Sequence, residues 1–523
     1  MIGNDSPTKE IKRINSELYS SIAITFILGI LAYGYTLIID APAHDGIMQI
    51  TTDQKWMIQI GRWLIKYYVM IRGTMNAPWF IGALAFLYIG LAVFFTFLIL
   101  DIPFMTQYQI LIAGLYVCSV AIMSAATLYT YIMDVNSLAL LMAVLAVFFI
   151  AKYEQSVFVK YGLGLVCMAL SMGLYQSYIA VTVSLFMLVA IKKLLDNKID
   201  CLTVIVQGLK YIVALIGGGV LYWALLRVVV ALNKMELWTG SYNSVTNVFS
   251  NSKIIMLKQV PYAYMHLFRY LFTMNNPFYS RLFIAVNVIV LLVGIIIWAK
   301  VINGFKDSYK KILLMILLVL LPLGMNCVYV LANAVMLPLM TFSFLYYYVA
   351  AVLPAFYLTD NEEKQWNILN GVYINAWHII VALLGTVIII SIQFSNGMAH
   401  YQRLVSIGTQ ARVNNLIHDI EAEPGFDGDI LIIGQVSDHL GGEYRLSEKY
   451  ASLSGVNDKG TTITYNPYLE TYLHCYYGKK YHIIENADLV QKYQCRDEVK
   501  EMPVYPTRGY CKMVGDYLVV KFE

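Results

Sequence analysis

The chain has 523 residues; 59% are apolar and only 13% are charged, half the charged share usual in soluble proteins, roughly 25%. With a mean hydropathy of +0.62, this excludes a soluble globule and a disordered chain. A net charge of +4, scattered along the sequence, argues against nucleic-acid binding.

The charge is uneven. Residues 400–523 hold 30 of the 70 charged side chains and net −4, so residues 1–399 net +8. This divides the chain near His400 into a membrane body, 1–399, and a small water-soluble tail, 400–523. A spanning helix needs ~20 largely apolar residues. In chain order the spans fall at 19–39, 78–99, 108–128, 136–151, 161–174, 177–191, 211–232, 281–299, 312–331, 341–358 and 374–394, eleven in all. The fifth and sixth are short. They either cross or form a re-entrant pair meeting at Tyr175-Gln176-Ser177-Tyr178. The first run precedes Asp-Ala-Pro-Ala-His-Asp rather than a small-residue cleavage site, so it reads as a retained helix.

Lysine and arginine set the orientation. With the N-terminus cytoplasmic, fourteen of them lie in cytoplasmic segments, among them Lys152, Lys192, Lys193 and Lys310, while the short outer connections 129–135 and 331–340 carry none. An odd number of spans then places the tail outside. Two long outer loops remain, 40–77 and 233–280. The first holds Asp40, His44, Asp45, Arg62 and Lys66, and from Trp56 onward reads as an amphipathic helix on the membrane face. The second is aromatic and mildly basic, with Tyr242, Tyr262, Tyr264, His266, Arg269 and Tyr270. Such rings suit a headgroup belt or a sugar face.

The tail reads as α/β: a helix over 401–422, a buried strand at 429–434, a second strand at 481–485 and a closing hairpin over 512–521. It contains no P-loop. Its His474, Cys475, His482, Cys495 and Cys511 lack metal-ligand spacing, and the seven spread cysteines set no disulfide framework.

An outer-face site has no nucleotide sugar at hand, so a sugar transferred there must come from a lipid carrier. Transfer needs a carboxylate to take the acceptor proton and cations to stabilise the leaving phosphate. The first outer loop holds both. The same loop also carries a resemblance. His44-Asp45-Gly-Ile, Gly61-Arg62-Trp63, Pro78-Trp79-Phe-Ile-Gly82-Ala-Leu, Asp134-Val-Asn-Ser-Leu, Leu174-Tyr175-Gln176-Ser-Tyr178-Ile and the tail segment Met502-Pro-Val-Tyr-Pro506-Thr-Arg-Gly509 stand in a telling order. Together they resemble the Gtr-type glucosyltransferase II family, polytopic GT-C enzymes that modify bacterial O antigen and other surface polysaccharides. The resemblance implies a GT-C-like, mainly α bundle of about eleven spans in the bacterial inner membrane, with a small extracytoplasmic α/β domain at the C-terminus. It implies a polyprenyl-phosphate sugar donor, with glucose as the expected sugar, and a polysaccharide acceptor. A flippase and a donor-synthesising glycosyltransferase are the partners this suggests. No metal ligand is assigned, and a divalent cation stays open.

Under this reading Asp45 is the first candidate for the base and Asp40 the second. The alternative for Asp45 is a solvated turn residue. Arg62 is the first candidate for the donor phosphate, because its fork matches phosphate oxygens; snorkelling to lipid phosphate is its alternative. Lys66 and Arg72 share that alternative. His44 orients Asp45 or bonds the phosphate, or is a plain loop histidine. Asp134, an acid at a span end, is either functional or paired. Tyr175, Gln176 and Tyr178 line a sugar pocket or form a simple turn. Arg269 and His266 serve phosphate or acceptor, or only the interface. Three other classes compete: a transporter or flippase of lipid-linked sugar, a polysaccharide polymerase or ligase, and a non-catalytic assembly partner.

Overall fold

A backbone inside lipid must satisfy its own polar groups, so long apolar runs fold as helices. The computed structural model describes residues 7–523 except 40, 42, 51, 197, 240–244, 247–252, 333, 357–364, 370, 371 and 446. Among the described residues nine helices are long and apolar enough to cross a membrane, or ten if one bent pair counts as a span. The protein is a multi-pass, mostly helical membrane protein with a small sheet near its C-terminus.

The first helices are α1 (Pro7–Ile39), α2 (His44–Met48), α3 (Leu64–Arg72), α4 (Pro78–Leu100), α5 (Thr106–Val117), α6 (Val120–Thr127), α7 (Met133–Ala151), α8 (Val157–Leu174), α9 (Ile179–Leu195) and α10 (Cys201–Leu232). Helix α4 packs on α1 and α7, α7 on α8, and α8 on α10. Later helices run over Arg281–Gly304, Ser308–Met325 and Ala376–Glu421. At the end of the bundle where α4 terminates, Asp101 pairs with Lys152 and Lys192.

The span reading needs two corrections. The stretch 108–128 is not one straight helix: α5 and α6 meet at 51°, where the Ser119 hydroxyl caps α6 by accepting from the Ile122 amide at 3.4 Å. Among the described residues, the stretch 341–358 does not form a full span. Its described part, Phe342–Phe356, is a shorter apolar helix of 3-10 and α pieces, too short for a ~30 Å hydrocarbon core. By contrast α8 and the Gln176–Leu195 segment are both long enough to cross. The expected amphipathic helix after Trp56 is also two pieces, a 3-10 turn over Lys55–Ile60 and α3, parted at Gly61. On α3 the side chains of Met70 and Ile71 stay exposed.

The last long helix does not stop where the composition changes. Ala376–Glu421 runs through His400 without a break over 46 residues, about 69 Å at helical rise. It therefore carries the chain well clear of a bilayer core. Beyond it lie β3 (Asp429–Ile433), β4 (His482–Ile483), β5 (Cys511–Val514) and β6 (Tyr517–Lys521), after the earlier hairpin β1 (Gln365–Leu369) and β2 (Val372–Asn375). The tail sheet has the order β4-β3-β6-β5. Both neighbours of β3 are parallel to it, and β5 is antiparallel to β6. One tail core gathers Leu416, Ile420, Ile430, Ile432, Leu473 and Phe522, and it takes in Ile47 from α2. Ile47 is fully buried there, a contact of about 1.5–3 kcal/mol. The first loop of the membrane body is thus pinned to the tail.

Candidate active site

The pinning brings Asp45 and the tail together. His44 Nε2 lies 3.4 Å from Asp45 Oδ1, and His44 Nδ1 lies 3.2 Å from the Gly455 carbonyl oxygen. Gly455 has φ +67°, and a Cβ there would stand 2.4 Å from Ala43 Cβ and 2.8 Å from a Leu128 methyl. Only glycine fits both the turn and the approach. The helix Asn466–Tyr477 adds Tyr468, whose hydroxyl donates to Asp45 Oδ1 at 3.4 Å. Burial and the Asp45 charge push the Tyr468 hydroxyl up to about 12, so it stays a donor at neutral pH. The side chains of His44 and Asp45 keep 31% and 33% of their surface, enough for a substrate to reach them.

Arg62 is built from the other side. Gly61 turns the chain at φ +83°, ending the 3-10 turn and starting the approach to α3. Gln176 Nε2 donates to the Ile60 carbonyl at 2.9 Å and to Tyr222 Oη at 3.1 Å. Tyr222 Oη in turn donates to the Gly61 carbonyl at 3.0 Å. Trp63 seals the turn, its ring lying so near Gly173 that a Cβ there would come within 2.6 Å. The Arg62 guanidinium then lies 4.3 Å from the centre of the Tyr175 ring. Its Nε is buried without a hydrogen-bond partner among the described residues, and its Nη1 lies 4.0 Å from Met57 Sδ. Among the described residues no carboxylate pairs with it. A guanidinium stacked on a ring and left without an acid is a ready anion site.

The two halves meet at Tyr131. This buried residue lies within electrostatic reach of Asp45, Arg62 and Tyr468 together. A carboxylate and a guanidinium therefore lie within reach of one buried aromatic residue at the end of the bundle where α1 ends and α4 begins. The family model described as glucosyl transferase GtrII matches residues 34–359, which is more than half the chain.

The chain belongs to the GtrII family. It is a membrane glycosyltransferase. No curated protein and no solved structure matches it. Within the GtrII stretch lie His44, Asp45, Arg62, Tyr131, Asp134 and the Tyr175–Tyr178 break. Gly455 and Tyr468 lie beyond it, as does the tail segment 502–509.

The other expected residues are placed as follows. Asp40 falls outside the described residues, as does Tyr242. Lys66 Nζ donates to Asn233 Oδ1 at 2.8 Å, tying α3 to the end of α10. Asp134 is fully buried, and its carboxylate accepts from Arg72 Nη1 at 2.8 Å, from Tyr68 Oη at 2.8 Å and from the Val135 amide at 2.9 Å. It is the paired acid of the two alternatives, and Arg72 is its partner. Tyr178 buries its hydroxyl without a hydrogen bond, with its ring 5.9 Å from Tyr175 and 5.7 Å from Phe342. Arg269 is exposed on the helix Val260–Phe272. Among the described residues no hydrogen bond or ion pair joins it to Asp45 or Arg62. His266, on the same helix, packs against Tyr329 and Phe344. Among the described residues no three His, Cys, Asp or Glu side chains gather as metal ligands.

Sequence reasoning had no access to four members of this arrangement. Tyr468 and Gly455 stand more than four hundred residues from His44 and Asp45. Tyr222 sits in an apolar span with nothing to mark it. Tyr131 is hidden in a short aromatic cluster, Tyr129-Thr-Tyr131, read only as a connection.

Proposed function

We propose that this GtrII protein transfers a sugar, glucose as the first expectation, from polyprenyl phosphate to a hydroxyl of a surface polysaccharide at the outer membrane face. The observation that carries the reading is that Asp45 and Arg62, the latter without a carboxylate partner among the described residues, both lie within electrostatic reach of Tyr131. The GtrII match supports the transferase chemistry. Lysines around Asp101 at the opposite end of the bundle support the orientation, with the N-terminus and that end cytoplasmic. The tail, residues 400–523, then lies outside. The setting is the bacterial inner membrane and the architecture GT-C-like. A flippase and a donor-synthesising transferase complete the supply of donor.

The reaction is a single displacement. The acceptor hydroxyl oxygen bonds to carbon one of the lipid-linked sugar. Its proton passes to Asp45, whose Oδ1 is held by Tyr468, so Oδ2 is the basic oxygen. The bond from carbon one to the phosphate oxygen breaks, and the electron pair leaves with polyprenyl phosphate. Attack from the face opposite the phosphate inverts carbon one. Arg62 takes the phosphate charge, its plane set by the Tyr175 ring. His44 braces the Asp45 carboxylate and the Gly455 turn. Asp134 acts at one remove: with Arg72 and Tyr68 it fixes α3 against α7.

The test is transfer by the purified full-length protein from polyprenyl-phosphate glucose to surface polysaccharide of the same cells, with Asp45→Asn as the pair. We expect a loss of about 10²–10⁴-fold in rate for the variant with unchanged thermal unfolding. A folded Asp45→Asn protein at wild-type rate removes Asp45 as the base. A wild-type protein that moves the lipid-linked sugar across vesicles without transferring it favours the flippase reading instead.

A further inference from the structure

The tail that pins Asp45 also presents a ring to solvent beside it. Tyr465 ends an extended stretch (φ −140°, ψ 164°) and caps the helix Asn466–Tyr477. Its carbonyl accepts from the Tyr468 amide at 3.0 Å, so Tyr465 and Tyr468 share one face of the first turn. The Tyr465 side chain is 66% exposed, the largest value for a large apolar or aromatic side chain in residues 400–523 among those described. Its ring centre lies 5.9 Å from that of Tyr468 at 50°, and Tyr468 touches Asp45. The two rings make a shelf that runs from open solvent to the candidate base.

We propose that this shelf is an acceptor subsite, with Tyr465 as the stacking platform for a sugar ring of the polysaccharide. The apolar C–H face of a pyranose suits an exposed aromatic ring, and a tyrosine keeps one end wet. A sugar on Tyr465 sets the next residue of the polymer over Tyr468, with its hydroxyl toward Asp45. The inference rests on the transferase reading for its ligand class. It also separates two tasks. Asp45 and Arg62 lie inside the GtrII stretch, while the platform lies outside it, so the tail would hold the acceptor while the membrane body carries the chemistry.

The experiment is binding of surface polysaccharide from the same cells to the full-length protein in nanodiscs, without donor. Wild type, Tyr465→Ala and Tyr465→Phe are compared at equal thermal stability. Tyr465→Ala should bind about three- to tenfold more weakly, the loss expected for one aromatic stack, and Tyr465→Phe within twofold of wild type. Wild-type affinity in Tyr465→Ala, equal weakening in Tyr465→Phe, or no binding by wild type each overturns the subsite. Absence of transfer from polyprenyl-phosphate glucose, with the binding pattern intact, instead overturns the donor reading and leaves the subsite standing.

Discussion

Gln176 Nε2 bonds the Ile60 carbonyl at 2.9 Å, so the break between α8 and α9 holds the turn that aims Arg62. The polar residue between two apolar runs thus acts on backbone. Tyr222 completes the clasp from α10. Three consecutive spans thus fix one guanidinium more than a hundred residues away in sequence.

Loosening that clasp should show first in function. Gln176→Leu removes both bonds at little change in volume. We expect a donor KM raised several-fold, with a fall of about 1–3 kcal/mol in stability from the acceptors left unpaired. Gly61→Ala should cost at least as much: φ is +83°, and the new Cβ would sit 2.6 Å from Tyr222 Oη. Thermal unfolding in detergent and donor titration measure both. A Gly61→Ala protein with wild-type values in each would show that the turn tolerates a side chain.

Arg62 should not tolerate lysine. A lysine keeps the charge but loses the planar fork and the stack over Tyr175. We expect Arg62→Lys to lose about tenfold or more in kcat/KM, with Arg62→Ala lower still. Stability should hold or rise, since the buried Nε has no hydrogen-bond partner to lose. A lysine variant at full activity would reduce the site to a simple positive charge.

Asp134 makes the opposite prediction. Its pair with Arg72 is buried on both sides, at 0% and 5% exposure. Removing one partner strands the other charge, so Asp134→Asn should lose about 3–5 kcal/mol. Asp134→Leu with Arg72→Met together should recover most of that stability, because the two desolvation penalties vanish at once. Chemical unfolding of the three proteins checks it. A double variant as unstable as Asp134→Asn would argue that Tyr68, rather than the Arg72 pair, holds α3 on α7.

Much of this fold is legible in the sequence, for a physical reason. Apolar runs such as 78–99 and 281–299 can only be helices in lipid, and the hairpin at Gly515-Asp516 follows from turn chemistry. Length and composition do not mark a bend, so the kink at Ser119 stayed hidden. The shift to polar residues near His400 changes the solvent around a helix and not the helix itself, which runs on to Glu421. Asp45 and Arg62 stand out as charges beside an apolar run. Tyr468 does not, because its role depends on a contact across 423 residues, and no local period encodes that. Asp134 was visible as an anomaly, but its partner Arg72 was one of several basic residues in the loop.

His266 carries the pH prediction. It lies between Tyr329 and Phe344, and its Nδ1 is 3.4 Å from Asn326 Nδ2, which donates to the Ala263 carbonyl as well. Burial, and then the Arg269 charge, hold its pKa below the ordinary value near 6.5. The neutral ring is therefore favoured in the folded protein, with Nδ1 accepting from Asn326. A depressed pKa means that the unfolded chain takes up the proton first. The stability due to His266 is present above about pH 6.5 and is lost as the pH falls through the lower folded value. His266→Asn has no proton to take up, so its unfolding midpoint should fall less than that of wild type between pH 7 and pH 5. Parallel midpoints for the two proteins across that window would mean that the ring titrates alike folded and unfolded.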